Sequence, residues 1–230
     1  MKYIEKGSEP ASLKEYRSTT PNADYDSCNK NDIRLSLLAE QRNICAFCMQ
    51  RISNKRNPKL KKPYTEIEHY KSQDVYNDEN GMLDLRLNYN NMLGVCNGNG
   101  GNPKHKLHCD KSKDLKEHKA FLPLTINPLE QKCEQLIHFR GNGIIFSKNT
   151  TIQQDIDVVL NLNEKILVKN RRNAILFAIE RLKKKKVKKW TVIALQNEIK
   201  HWQTKHEKGY KPYCQAVIYY LEKKLKRLQK

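Results

Sequence analysis

Cys45-Ala46-Phe47-Cys48, Ile67-Glu68-His69, Asn90-Asn91-Met92-Leu93-Gly94-Val95-Cys96 and His108-Cys109-Asp110-Lys111-Ser112-Lys113 are the stretches from which the rest of the chain can be read. They hold two cysteine pairs, one adjacent acid–histidine pair and an acid at the expected start of a helix. Thiolates select a soft ion such as zinc, whereas carboxylate, imidazole and amide suit a harder cation. The two sets interleave within one short region, and the interleaving is more informative than either set alone.

Two residues between Cys45 and Cys48 let both sulfurs face one ion while backbone amides point at the sulfurs. A redox pair has the same spacing, but it usually opens a helix after a strand. Here a helix is expected before the pair and a basic loop after it. Cys96 and Cys109 lie 13 positions apart, joined by a Gly- and Asn-rich run that can close back on itself. Four thiolates make a closed, structural zinc site. The competing ligand set replaces one cysteine by His105 or His108. Cys28, Cys133 and Cys214 stand alone and read as small buried hydrophobes or incidental thiols.

Composition bounds the partners. The chain has 230 residues, 38% of them hydrophobic and 30% charged, with a formal charge of +19. The excess points to a polyanion, most simply nucleic acid. The seven cysteines are odd in number, no signal peptide is apparent, and no run of about 18 apolar residues exists. Reduced thiols in a cytoplasmic protein that does not span a membrane are therefore expected. No Walker loop or Gly-x-Gly-x-x-Gly is present, so nucleotide hydrolysis by this chain alone is not expected.

In chain order, residues 1–30 read as an extended arm with a short helical turn near Leu13–Tyr16. An amphipathic helix is expected over 31–44, capped by Asn31 or Asp32. The loop 49–63 carries Arg51, Lys55, Arg56, Lys59, Lys61 and Lys62, suited to phosphate contact or simply solvated. Tyr64–Tyr70 alternates as a strand. Glu68 and His69 would face opposite ways in its regular part, so a shared site needs a strand end or a bulge. Residues 71–90 read as a loop with a turn at Asn80-Gly81 and a short strand or helical turn over Met82–Leu87.

Leu136–Phe146 is a hairpin around Gly141-Asn142-Gly143. Helices follow over Ile152–Leu162, Asn163–Lys186, Thr191–Lys205 and Tyr213–Lys230, with Pro212 between the last two. Residues 164–230 carry 20 lysines and arginines against five glutamates. Within them, Lys184, Lys185, Lys186, Lys188 and Lys189 beside Trp190 form either a phosphate clamp or the charged end of a helix. His201, Trp202 and His206 read as packing and surface.

The order Cys-x-x-Cys, acid-His, Asn, Cys, then Cys-acid-x-x-Lys resembles the HNH endonucleases. The longer pattern, from Leu38-Ala39-Glu40-Gln41 through Cys45-Ala46-Phe47-Cys48, Ile67-Glu68-His69-Tyr70 and Asn91–Cys96 to His108-Cys109-Asp110-Lys111-Ser112-Lys113, resembles the PtuB-like branch found in Septu and retron anti-phage defence systems. The likeness covers residues 1–113 and extends weakly to Val159-Leu160-Asn161-Leu162-Asn163.

The resemblance implies an α+β fold: a small zinc-stabilised ββα-metal core with a mainly helical, basic C-terminal region. The segments would be an arm (1–30), the nuclease domain (31–122) and a hairpin plus helices (123–230). By resemblance, His69 is the general base, Glu68 a metal ligand, Asn91 the residue that orients the base, and Asp110 a metal ligand standing where His or Asn is commoner. Aspartate suits magnesium, and manganese is the alternative. Lys113 and the basic loop would hold flanking phosphates. The branch also implies a PtuA-type ATPase partner and, in some systems, a retron reverse transcriptase with its msDNA. The substrate would be DNA or tRNA. The alternative is a zinc-stabilised nucleic-acid-binding adaptor without catalysis.

Overall fold

A buried glutamine side chain shows how the chain is tied together around the cysteines. Gln41 follows helix α2 (Lys30–Glu40) and accepts from Gly94 N at 2.6 Å while donating to Gly94 O at 2.7 Å and Ile44 O at 2.9 Å. It thereby clamps the first cysteine pair onto the strand that delivers the second. These relations come from a computed structural model that describes residues 1–58, 61–71, 85–184, 190–204 and 206–229. Helix α2 starts earlier than the sequence suggests. Asn29, not Asn31 or Asp32, caps it by accepting from both of their backbone N–H groups. It also stops at Glu40, because Arg42 and Asn43 take left-handed backbone angles that end a helix.

Strands β1 (Thr65–His69) and β2 (Met92–Cys96) pair antiparallel, Thr65 opposite Cys96 and His69 opposite Met92. A short helix α3 (Asp110–Lys113) follows. The strand pair lies between two apolar clusters. On one side Ile67 and Met92 meet Leu13 of α1 (Ala11–Thr19) and Ile33 and Leu37 of α2. On the other, Leu93 and Val95 join a larger core that reaches Leu221.

That larger core is built by a four-residue helix α4 (Cys133–Leu136), the hairpin β3 (His138–Phe139) and β4 (Ile145–Phe146), and helices α5 (Thr150–Gln154), α6 (Lys165–Lys184), α7 (Val192–Gln203) and α8 (Cys214–Leu228). The hairpin is shorter than its apolar runs, since Leu136 belongs to α4. The helix expected over 152–162 is split: α5 passes into a π turn over Asp155–Val159. Asp155, buried there, accepts from Thr125 N at 2.7 Å and Ile126 N at 2.9 Å, which ties the connecting segment to it. The architecture is mixed α+β and mostly helical.

The expected arm is packed at its start. Met1 and Ile4 are buried in the larger core, and Ile4 N donates to Pro128 O. Cys28, Cys133 and Cys214 are all buried, as small hydrophobes would be. The turn at Asn80-Gly81, residues 82–84 of the expected Met82–Leu87 element, Lys59, and Lys185, Lys186, Lys188 and Lys189 lie outside the described residues; 85–87 form a turn. Among the described residues, no helix is long and apolar enough to cross a membrane.

Candidate metal centres

The Cys45–Cys48 segment folds as a tight knuckle. Met49 N donates to Cys45 O at 3.0 Å, Cys45 N to Gln50 O at 2.9 Å, and Met49 takes a left-handed φ of 65°. The second pair arrives from two directions. Cys96 ends β2, and the chain returns to Cys109 through a closed loop in which His108 N donates to Gly98 O. At Gly98, with φ of 53°, a Cβ would stand 2.3 Å from His108 O, so only glycine closes this loop.

All four sulfurs are buried and lie within 4.8 Å of one another. Cys48 and Cys96 are 3.7 Å apart and Cys45 and Cys109 4.0 Å. A tetrahedron of Zn–S bonds of about 2.3 Å has edges of about 3.8 Å, whereas a disulfide would draw sulfurs to about 2 Å. The donor set and spacing therefore fit a structural zinc. His108, the expected competitor, is also buried, with Nδ1 3.3 Å from Cys109 Sγ and 4.0 Å from Cys96 Sγ. His105 is exposed on the loop.

Two partners of this cluster escaped sequence reasoning. Leu160 O accepts from Cys109 N at 2.8 Å, and Asn161 Nδ2 donates to Leu107 O at 2.8 Å. The tail motif Val159–Asn163 thus holds the cysteine loop in place. Arg171 is almost fully buried in α6 and donates to Gly143 O, Leu162 O and Asn163 Oδ1. Burial pulls its pKa down to about 10, while the charges of Cys48, Tyr213 and Cys109 act to raise it. A buried guanidinium bonded to carbonyls rather than a carboxylate needs a nearby anion. A zinc-bound set of four thiolates, with net charge −2, would supply one.

The second cluster forms where β1 ends against α3. Glu66 and Glu68, two apart on the strand, share a face, and Lys111 of α3 pairs with Glu66 at 2.7 Å and Asp110 at 3.0 Å. Glu68, Asp110 and Asp114 offer carboxylate oxygens within 4.8 Å of one another. Asp110 and Asp114 stand one helical turn apart, and this i, i+4 spacing could have disclosed Asp114 from the sequence. Burial, reinforced by the charge of Asp110, pushes Glu68 well above the usual carboxyl range. Burial opposes ionisation of Asp110 too, but the hydrogen bond from Glu68 and the charge of Lys111 hold its pKa down. Two buried carboxylates with an acid neighbour are a donor set that a hard divalent cation fits.

His69 is the last residue of β1, the strand end required for it to share a site with Glu68. Both line a cleft of about 350 Å³ with Asp110, Lys111, Asp114 and Tyr25. His69 Nε2 lies 2.8 Å from Arg86 O. A carbonyl only accepts, so Nε2 carries the hydrogen, and in the neutral ring the lone pair would be on Nδ1. Tyr25 packs edge-on against the ring, with centroids 4.7 Å apart. Neither Tyr25 nor the Arg86 carbonyl carried any sequence signal.

Asn91 is buried, and its side chain bonds backbone: it accepts from Lys71 N at 2.8 Å and donates to Lys71 O at 3.1 Å and Leu85 O at 3.0 Å. Tyr70 N donates to Asn91 O. Asn91 therefore fixes the backbone that follows His69 and ties it to Leu85, the neighbour of Arg86. Lys113 is not on the surface where a phosphate contact would place it. It is buried, with its ammonium on the Glu68 carboxylate and on His69 O at 2.7 Å. Arg51 donates to Asn43 O at 3.2 Å and Lys208 O at 2.6 Å as well as to Tyr210 O, so its guanidinium staples the knuckle to the segment before α8. Lys55, Arg56 and Lys184 are exposed, as phosphate contacts require.

Neither a protein-family model nor a curated protein matches the chain.

Proposed function

We propose that the protein is a metal-dependent endonuclease of HNH type that hydrolyses phosphodiester bonds in DNA or tRNA. The observation that carries this reading is the convergence of Glu68, His69 and Asp110 on one cleft beside a buried four-cysteine cluster. The order β1, β2, α3 supports the ββα-metal description: the strand pair presents Glu68 and His69, and the helix presents Asp110.

The chemistry divides among these residues. His69, with its Nε2 hydrogen held by Arg86 O, presents Nδ1 as general base to take a proton from the attacking water. Tyr25 and the backbone bonds of Asn91 limit where that ring can turn. Glu68 and Asp110, with Asp114 nearby, would hold magnesium or manganese. Such an ion, when bound, supplies charge stabilisation for the phosphate and the leaving oxygen. Cys45, Cys48, Cys96 and Cys109 would hold the zinc, which stiffens the fold and takes no part in the reaction.

The positive surface supports a nucleic-acid substrate, and the likeness to the PtuB-like branch supports anti-phage defence gated by a PtuA-type ATPase, with a retron reverse transcriptase and its msDNA as a further partner. Exposed apolar side chains on the helical region, Leu176, Phe177 and Ile193, favour it over the packed N-terminus as the ATPase-docking surface.

Incubation with plasmid DNA and with total tRNA, in magnesium or manganese and with or without the ATPase, tests this reading. Cutting of either pool that Glu68→Gln loses supports the nuclease and names its substrate. No cutting in any combination, with Glu68→Gln still defending cells, returns the protein to the adaptor reading.

A further inference from the structure

A lysine ammonium buried against a proposed metal ligand calls for an explanation. Lys113 is 2% exposed, less than Glu68 or Asp110. It projects from the same short helix as Asp110, three residues on, and places Nζ on Glu68 Oε1 and His69 O. Burying an ammonium is costly unless carboxylates surround it, and burying two neighbouring carboxylates is costly unless a cation joins them. In this arrangement each burial compensates for the other. Lys111, outside the buried pair, is already committed to Glu66 and Asp110.

We infer that Lys113 is a tethered cation competing with the divalent ion for Glu68. With no ion bound, its ammonium neutralises the acid cluster and keeps β1 and α3 together. When the carboxylates take up a divalent ion, the ammonium leaves Glu68 and emerges beside His69, at the cleft where a scissile phosphate would lie. The lysine's buried position and the phosphate contact implied by resemblance then become two states of one side chain. This inference rests on the proposed reading of Glu68 and Asp110 as metal ligands.

Manganese titration by calorimetry, on full-length protein of verified zinc content, tests it. Wild type, Lys113→Met and Glu68→Gln are compared. Lys113→Met keeps the length of the side chain and removes the competing charge, so its manganese Kd is expected to fall about tenfold or more. An unchanged or weaker Kd in a folded Lys113→Met protein overturns the competition while leaving the metal reading intact. Absence of manganese binding in wild type and Lys113→Met alike overturns both.

Amine labelling of wild type, read by mass spectrometry, serves even if the variant does not fold. Lys113 is expected to be protected without manganese and to label severalfold faster with it. Equal labelling in both conditions overturns the inference.

Discussion

Arg171 shows how one buried charge can report on a distant ligand set. Its guanidinium has carbonyl partners and lies near Cys48 and Cys109, whose charges would raise its pKa. Arg171→Met should leave those carbonyls short of donors, at roughly 1–3 kcal/mol per orphaned group, and should also weaken zinc retention. Competition with a colorimetric chelator measures the latter; unchanged zinc affinity would mean the cluster's charge is balanced elsewhere. Arg51 and Lys55 make a second contrast. Arg51→Ala should lower the melting temperature more than it changes the salt dependence of nucleic-acid binding, because three of its five N–H donors are held by backbone carbonyls. Lys55→Ala should reduce that salt slope by about 0.9 if it contacts one phosphate. The cysteines were legible in the sequence from their spacing and residue type, whereas Glu68, His69 and Asp110 were singled out through the family resemblance. The places of Lys113, Arg51 and Tyr25 were not legible, since a cationic or aromatic side chain reads the same in sequence whether it faces solvent or a buried acid.

At the scale of elements, the loop from Cys96 to Cys109 is tightly constrained. Gly98 closes it in a conformation that costs other residues roughly 1–2 kcal/mol even before the clash with His108 O. Gly98→Ala should therefore lower the melting temperature and speed zinc loss to a chelator; wild-type values for both would place the strain elsewhere. Asn91→Ala should leave zinc content intact but strand Lys71 N, Lys71 O and Leu85 O, releasing the backbone beside His69. Cleavage should drop by about 10²-fold or more, since misplacing a reacting group by an ångström costs that much. Normal cleavage by the variant would show that Asn91 only stabilises the fold. Strand β1, the hairpin and the long C-terminal helices were readable from periodicity, caps and turn residues. The π turn after α5 was not, and the bonds that accompany it are tertiary: Asp155 accepts from Thr125 N and Ile126 N.

Across the whole molecule, the four-cysteine centre is anchored by sequence-distant segments. Leu160 and Asn161 hold the Cys109 loop, Tyr213 N donates to Met49 O behind the knuckle, and Tyr210 N donates to Arg42 O. The segments that flank the basic C-terminal helices therefore serve the four-cysteine part as structure, besides any contact of the helices with nucleic acid. No local pattern announces such long-range bonds, which is why the helices were legible and their attachment was not. We propose that His69 in this assembled cleft is the base of a nuclease. The most direct measurement is cleavage of plasmid DNA and total tRNA by wild type and His69→Ala, each at equal zinc content, in magnesium and manganese with the ATPase present. Cutting by wild type and none above background by His69→Ala is the expected result. Equal cutting by both proteins would contradict it.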